Sequence, residues 1–131
     1  MLLSTSIYRV FLLGVMLPML SVKSDAQELA QYQWQHRVII LCGDSHSDSY
    51  QNQLNSLSAE KIKTELADRK LIIIRDSEDH CNDEDFKIVL YGLDGGVKLS
   101  SSTAVKAIEI FELIDSMPMR RAEIMRRNGK S

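Results

Sequence analysis

Val38-Ile39-Ile40-Leu41-Cys42 and Leu71-Ile72-Ile73-Ile74 are apolar at every position. A half-solvated strand alternates polar and apolar residues, whereas an unbroken β-branched run suits a strand covered on both faces. Between the two runs, Tyr50, Leu54, Leu57, Ile62 and Leu66 recur at near-helical spacing among Gln, Asn, Lys and Glu. This pattern predicts an amphipathic helix from about Asp48, with Ser56 and Ser58 as the points where it breaks. Strand, helix, strand implies two parallel neighbours joined by a right-handed crossover. Gly43 to Ser49, rich in Gly, Ser, Asp and His, reads as the loop between the first strand and that helix.

The second half has a different rhythm. Phe86 to Tyr91 and Val97 to Leu99 flank Asp94-Gly95-Gly96, and Asp-Gly tolerates the positive φ of a tight hairpin turn. The hydroxyls of Ser100 to Thr103 offer N-caps for a following helix. Ala107, Ile110, Phe111, Ile114 and Met117 form its apolar stripe. Pro118 disfavours helical geometry at Met117, so the helix ends or kinks there and a short basic helix runs on to about Arg127. Residues 27–36 are a polar lead-in whose Leu29, Tyr32 and Trp34 cover one end of the core. The order is β-α-β followed by β-β-α, which predicts an α/β, thioredoxin-like domain with a mixed sheet flanked by helices. Loops at the C-terminal ends of the parallel strands are its expected functional edge. Cys42 and Cys81 both fall on that edge.

The N-terminal segment reads as a leader. Met1 to Arg9 carries one positive charge, Val10 to Leu20 is an apolar run of eleven residues, and Ser24-Asp25-Ala26 places small residues at a cleavage site. Crossing a bilayer takes about 20 residues, so the run reads as a signal-peptide core, with an uncleaved N-terminal anchor as the lesser reading. Cleavage after Ala26 leaves one domain, residues 27–131, exported to a periplasm or the extracellular space and without a stable membrane span. Loss of Arg9, Lys23 and Asp25 takes the net charge from −2 to −3, which excludes non-specific nucleic-acid binding. Asp76 to Asp85 holds six acidic residues, and Arg120 to Lys130 holds five basic ones against Glu123 alone. Both read as solvated segments, with partner steering as the lesser reading.

Two cysteines in an exported chain favour a Cys42–Cys81 disulfide. The competing reading takes Cys42-Gly43-Asp44-Ser45 as a monothiol site with Cys42 as nucleophile and Cys81 as resolving partner. A reactive thiolate wants a helix N-terminus just beyond it, and here the helical pattern starts several residues later. Asp44, Ser45, His46, Ser47 and Asp48, with Asp76, Asp79 and His80, alternate oxygen and imidazole groups. They fit no metal-binding spacing and read as solvated polar loops. No metal or cofactor is expected. Asp94, Gly95 and Gly96 serve turn geometry. Arg120 and Arg121 pair with Asp115 and Glu123 or, in the functional version, hold an anionic ligand. Met117 and Met119 are anchors for the segment that follows.

Arg37, Arg69, Asp94-Gly95-Gly96-Val97-Lys98, and Ile114-Asp115-Ser116-Met117-Pro118-Met119-Arg120-Arg121 with Glu123 carry a resemblance covering roughly residues 34–125. In them the sequence resembles the P-DUDES family, exported thioredoxin- or peroxiredoxin-like domains of small bacterial and animal extracellular-matrix proteins. The resemblance implies fold and export. The family has no assigned activity and the two cysteines lie outside its motif, so it transfers no catalytic residue. The sequence therefore predicts a non-catalytic binding or structural module with an unidentified envelope or extracellular partner. The alternative is a thiol oxidoreductase or peroxidase-like enzyme using Cys42 with Cys81.

Overall fold

A computed structural model describes residues 25–77, 80–82 and 85–129. The expected leader core and four residues of the acidic run, Glu78, Asp79, Asp83 and Glu84, lie outside the described residues. The elements are α1 (Asp25–Ala30), β1 (Arg37–Cys42), α2 (Asp48–Ser58), α3 (Glu60–Asp68), β2 (Leu71–Arg75), β3 (Lys87–Tyr91), β4 (Val97–Ser101), α4 (Ala107–Asp115) and α5 (Pro118–Asn128). The strands form one mixed sheet in the order β2-β1-β3-β4. β1 runs parallel to β2, with Arg37 opposite Leu71 and Leu41 opposite Arg75, and antiparallel to β3. The two apolar runs are thus side by side and point the same way. The arrangement is compatible with a thioredoxin-like α/β fold.

β1 is buried along its whole length, which explains why it has no polar alternation. Ile39 and Leu41 face one side, packing with Tyr50, Leu57, Leu66, Ile110, Phe111 and Ile114 from α2, α3 and α4. Val38, Ile40 and Cys42 face the other, where Leu29, Tyr32, Ile72, Ile74 and Tyr91 cover them. The three main helices therefore share one face, and α1 with the turn after it closes the opposite one. Trp34, expected on the core, is instead 60% exposed. Its positive φ of 69° and its N–H bond to the Leu93 carbonyl hold the backbone at the hairpin while the ring stays in solvent.

The helix between the parallel strands breaks at Ala59, which is extended at φ −60° and ψ 143° and serves as C-cap of α2 and N-cap of α3. Of the two serines expected to break it, Ser56 lies within α2 and Ser58 is its last residue. Their hydroxyls donate to the Gln53 and Leu54 carbonyls inside α2, a local bond that a helix accommodates. The expected caps at Ser100 to Thr103 also fail. β4 continues to Ser101, whose hydroxyl accepts from the Thr103 N–H at 3.1 Å, and α4 starts after Lys106 without a side-chain cap.

The approach to α4 is fixed from a distance. Gln53, fully buried in α2, donates from Nε2 to the Val105 carbonyl at 2.9 Å and accepts from the Val105 N–H at 2.7 Å. One amide side chain thereby pairs a backbone unit that neither sheet nor helix serves. Gly43 has φ +129°, and a Cβ there would lie 2.8 Å from the Phe86 Cα. Both conformation and space demand glycine where the chain leaves β1.

Gln53→Leu leaves both Val105 groups without partners and is expected to cost about 1–3 kcal/mol by denaturant melting, with an unchanged m-value. A loss below about 0.5 kcal/mol would show that the Val105 bonds contribute little.

Candidate functional site: the arginine cluster and the disulfide edge

The two ends of the parallel pair carry different chemistry. At the N-terminal end, Arg37 opens β1, Arg69 caps α3 just before β2, and Arg120 lies in the first turn of α5. Arginine is seldom buried, yet these three are 1%, 8% and 3% exposed. Asp115, at the end of α4, accepts from Arg69 Nη2 at 2.7 Å and Nε at 3.1 Å in a bidentate fork, and from Arg120 Nε at 3.1 Å. Arg69 also reaches Glu65 at 2.6 Å and lies 4.5 Å over the Phe111 ring. Arg120 bonds Asp68 at 2.5 Å and Glu123 at 3.3 Å, and Glu123 in turn holds Arg37 at 3.3 Å. Arg127 joins through Asp68.

Four guanidinium groups thus meet four carboxylates, and the cluster is electrically neutral. Hydrogen bonding from Arg120, helped by Arg127, outweighs burial and holds the Asp68 carboxyl below its usual range. Burial would raise Asp115, but the bonds from Arg69 and Arg120 prevail and lower it. Arg121, the neighbour, is exposed. Arg120 is therefore an internal tie between α3, α4 and α5. Its charge is committed, which leaves little of it for an outside anion.

The hairpin has its own small network. The Asp94 carboxylate accepts from the Gly96 N–H and from Lys98 Nζ, each at 2.9 Å. The Gly96 N–H first, then Lys98, keeps Asp94 below the ordinary carboxylate range. Gly95 supplies the positive φ, +82°, that the turn needs. Gln33 closes the loop by donating to the Asp94 carbonyl at 2.9 Å.

At the C-terminal end, Cys42 and Cys81, 39 positions apart in the sequence, form a disulfide with Cα atoms 5.3 Å apart. Cys42 is buried and Cys81 half-buried. The bond borders a cleft of about 280 Å³ that His80, Asn82, Phe86 and Lys87 also line. The His80 Nδ1 lies 3.1 Å from the Ser77 hydroxyl, which donates to Glu28. The nearest helix N-terminus, that of α2, begins at Asp48 and is capped by Ser47, whose hydroxyl accepts from the Tyr50 N–H. Asp44, His46 and Asp48 are exposed. Among the described residues no group of three or more His, Cys, Asp or Glu side chains gathers to hold a metal ion. Asp79, one of the residues weighed for such a cluster, lies outside the described set.

A third feature of this edge is the clamp between α2 and β2. The buried Tyr50 hydroxyl donates to Asp76 at 2.9 Å and accepts from Arg75 at 3.2 Å. Burial raises the Tyr50 pKa, so the phenol stays protonated. Sequence reasoning placed Tyr50 in the core and missed its partners, because β2 ends on them only in the folded sheet. It also gave no role to Asp68 or Glu65, which lie far along the chain from Arg120 and close to Arg69 respectively.

Arg120→Leu is expected to cost about 2–4 kcal/mol, because it takes one of two guanidinium partners from both Asp68 and Asp115 and a partner from Glu123. Arg121→Ala should stay within about 0.5 kcal/mol. Asp68 and Asp115 have folded-state pKa values below their unfolded values near 4. The stability they contribute is present above about pH 4 and is lost as pH falls through the lowered folded values. Acid titration of the melting temperature should therefore show a flatter decline in Arg120→Leu than in the parent. Parallel curves would contradict the assignment of these carboxylates to Arg120.

Residues 76–123 match the family described as a domain of unknown function, DUF4174. The matched stretch includes Cys81, the hairpin, α4, Arg120 and Glu123. No curated protein and no solved structure matches the chain.

Proposed function

We propose that the chain is an exported, non-catalytic binding or structural module of thioredoxin-like type, in keeping with its resemblance to the P-DUDES domains. One observation carries the reading. The two cysteines are joined to each other, with Cys42 buried at a strand end and no helix N-terminus beside it. A sulfur so placed lacks the helix-dipole field that commonly makes a thiolate reactive. Its role is then to brace the acidic loop against β1. On the chain-entropy model, closing this segment contributes about 4 kcal/mol. Export supplies the oxidising compartment the bond requires. The cut after Ala26 falls inside α1 and retains Leu29 and Tyr32, which cover β1.

A thiol oxidoreductase remains the second reading, because Cys81 borders a cleft that admits a small thiol. The two readings separate in one assay series. The module reading predicts no insulin reduction and no peroxide turnover. It also predicts a disulfide that persists in millimolar glutathione and a large loss of thermal stability in Cys42→Ser. Turnover by the parent that vanishes in Cys42→Ser would establish the enzyme instead. Mass spectrometry of the exported, unreduced protein should find Gln27 as first residue and a mass lower by the two thiol hydrogens. A retained leader would contradict the cleavage.

A further inference from the structure

A groove of about 430 Å³ lies between the β3–β4 turn and the α4–α5 junction. Leu93, Met117, Pro118 and Met119 give it apolar walls, and Arg37 and Lys98 contribute to its polar lining. The acceptors along it are engaged: Asp94 holds the Gly96 N–H and Lys98. The Leu93 and Met117 carbonyls accept from the Trp34 and Arg121 N–H groups.

The donors are not matched. Arg37 is 1% exposed, and its Nε has no hydrogen-bond partner among the described residues. Its Nη groups are committed to the Arg69 carbonyl and to Glu123. Beside it, α5 begins at Pro118 with no side-chain cap and no acidic residue in its first turn. The first N–H of α5 to bond back is that of Arg121, to the Met117 carbonyl at 2.9 Å. The Met119 and Arg120 N–H groups precede that ladder. A buried donor without an acceptor and an uncapped helix start are both deficits of the same kind. What is missing is acceptor oxygen with negative charge.

We propose that this groove binds a carboxylate with a short apolar body. The carboxylate oxygens take the first-turn N–H groups of α5 at the Arg37 end, and the body lies against Leu93, Met117 and Met119. A monoanion fits better than a dianion. The arginine cluster behind the groove is already neutral, and Lys98 shares its charge with Asp94, so the helix start is the main uncompensated positive field. The source is either a free small acid or the C-terminal end of a peptide, which offers the same group. This inference gives the proposed binding module a ligand class. Its failure would leave the case for an inert disulfide intact.

The test is NMR titration of the uniformly ¹⁵N-labelled full chain with isobutyrate, isobutyramide, inorganic phosphate and N-acetyl-alanyl-valine. The Met119 and Arg120 amides and the Arg37 Nε–H should shift together and saturably with isobutyrate, with Kd of about 1 mM or tighter. Isobutyramide should leave them unmoved, and phosphate should bind more weakly. Tighter binding of the dipeptide than of isobutyrate assigns the peptide end as source, and weaker binding assigns the free acid. Lys98→Met keeps the stem that lies over Gly92 while removing the ammonium. It should weaken isobutyrate about threefold or more with little change in melting temperature. Equal shifts with acid and amide, or saturable shifts confined to other residues, would overturn the proposal. Phosphate binding as tight as isobutyrate would do the same.

Discussion

Three guanidinium groups taken out of water must each meet acceptors, and that demand fixes the N-terminal end of the sheet. Arg37 starts the central strand, Arg69 ends the helix that feeds β2, and Arg120 starts the last helix. Asp115 lies between Arg69 and Arg120, and Glu123 lies between Arg120 and Arg37. Four elements, β1, α3, α4 and α5, are thereby held by one neutral cluster. Removing a buried member, Arg37, Arg69 or Arg120, leaves its carboxylates short of a partner, so the buried part of the cluster is strongly interdependent. Such a cluster adds less net stability than an apolar core of equal volume, but it specifies geometry. It sets where α5 leaves α4 and aims its first turn at the hairpin.

The opposite end of the parallel strands is held by covalent and neutral bonds. The disulfide ties the segment after β2 to the end of β1, and Tyr50 ties the first turn of α2 to Arg75 and Asp76. This is the edge where α/β folds usually place their chemistry. Here its sulfurs are spent on each other and its nearest helix start is already capped. Among α2 to α5, the helix start with neither a side-chain cap nor an acidic residue in its first turn is that of α5, at the other end, beside the groove that Arg37 and Lys98 line. The unmatched Arg37 Nε and the α5 start therefore lie on the hairpin side, away from the cysteines.

Much of the architecture was legible in the sequence because it follows from periodicity. β1 and β2 announce themselves as unbroken apolar runs, Asp94-Gly95 as a turn, and Ala107, Ile110, Phe111 and Ile114 as a helix stripe. Pro118 separates the last two helices, as the restriction on the residue before proline requires. What failed depended on partners distant in sequence. The serines at 100–102 looked like caps, but Gln53 reaches Val105 from across the fold and settles that approach. Arg37 and Arg69 have no local mark of burial, since a charged residue is ordinarily solvated. Arg120 and Glu123 are legible as an i,i+3 pair, whereas Asp68 enters only when α3 and α5 are folded together.

The central claim is that the arginine cluster makes α5 part of the cooperative core. Native-state hydrogen exchange measures this directly, because opening free energies report which segments unfold together. The Ala122 to Arg126 amides should exchange with the same opening free energy as those of Ile39 and Leu41 in β1. Exchange of α5 at an opening free energy several kcal/mol lower, with β1 still protected, would mean that the helix is only loosely attached and that the cluster does not hold it.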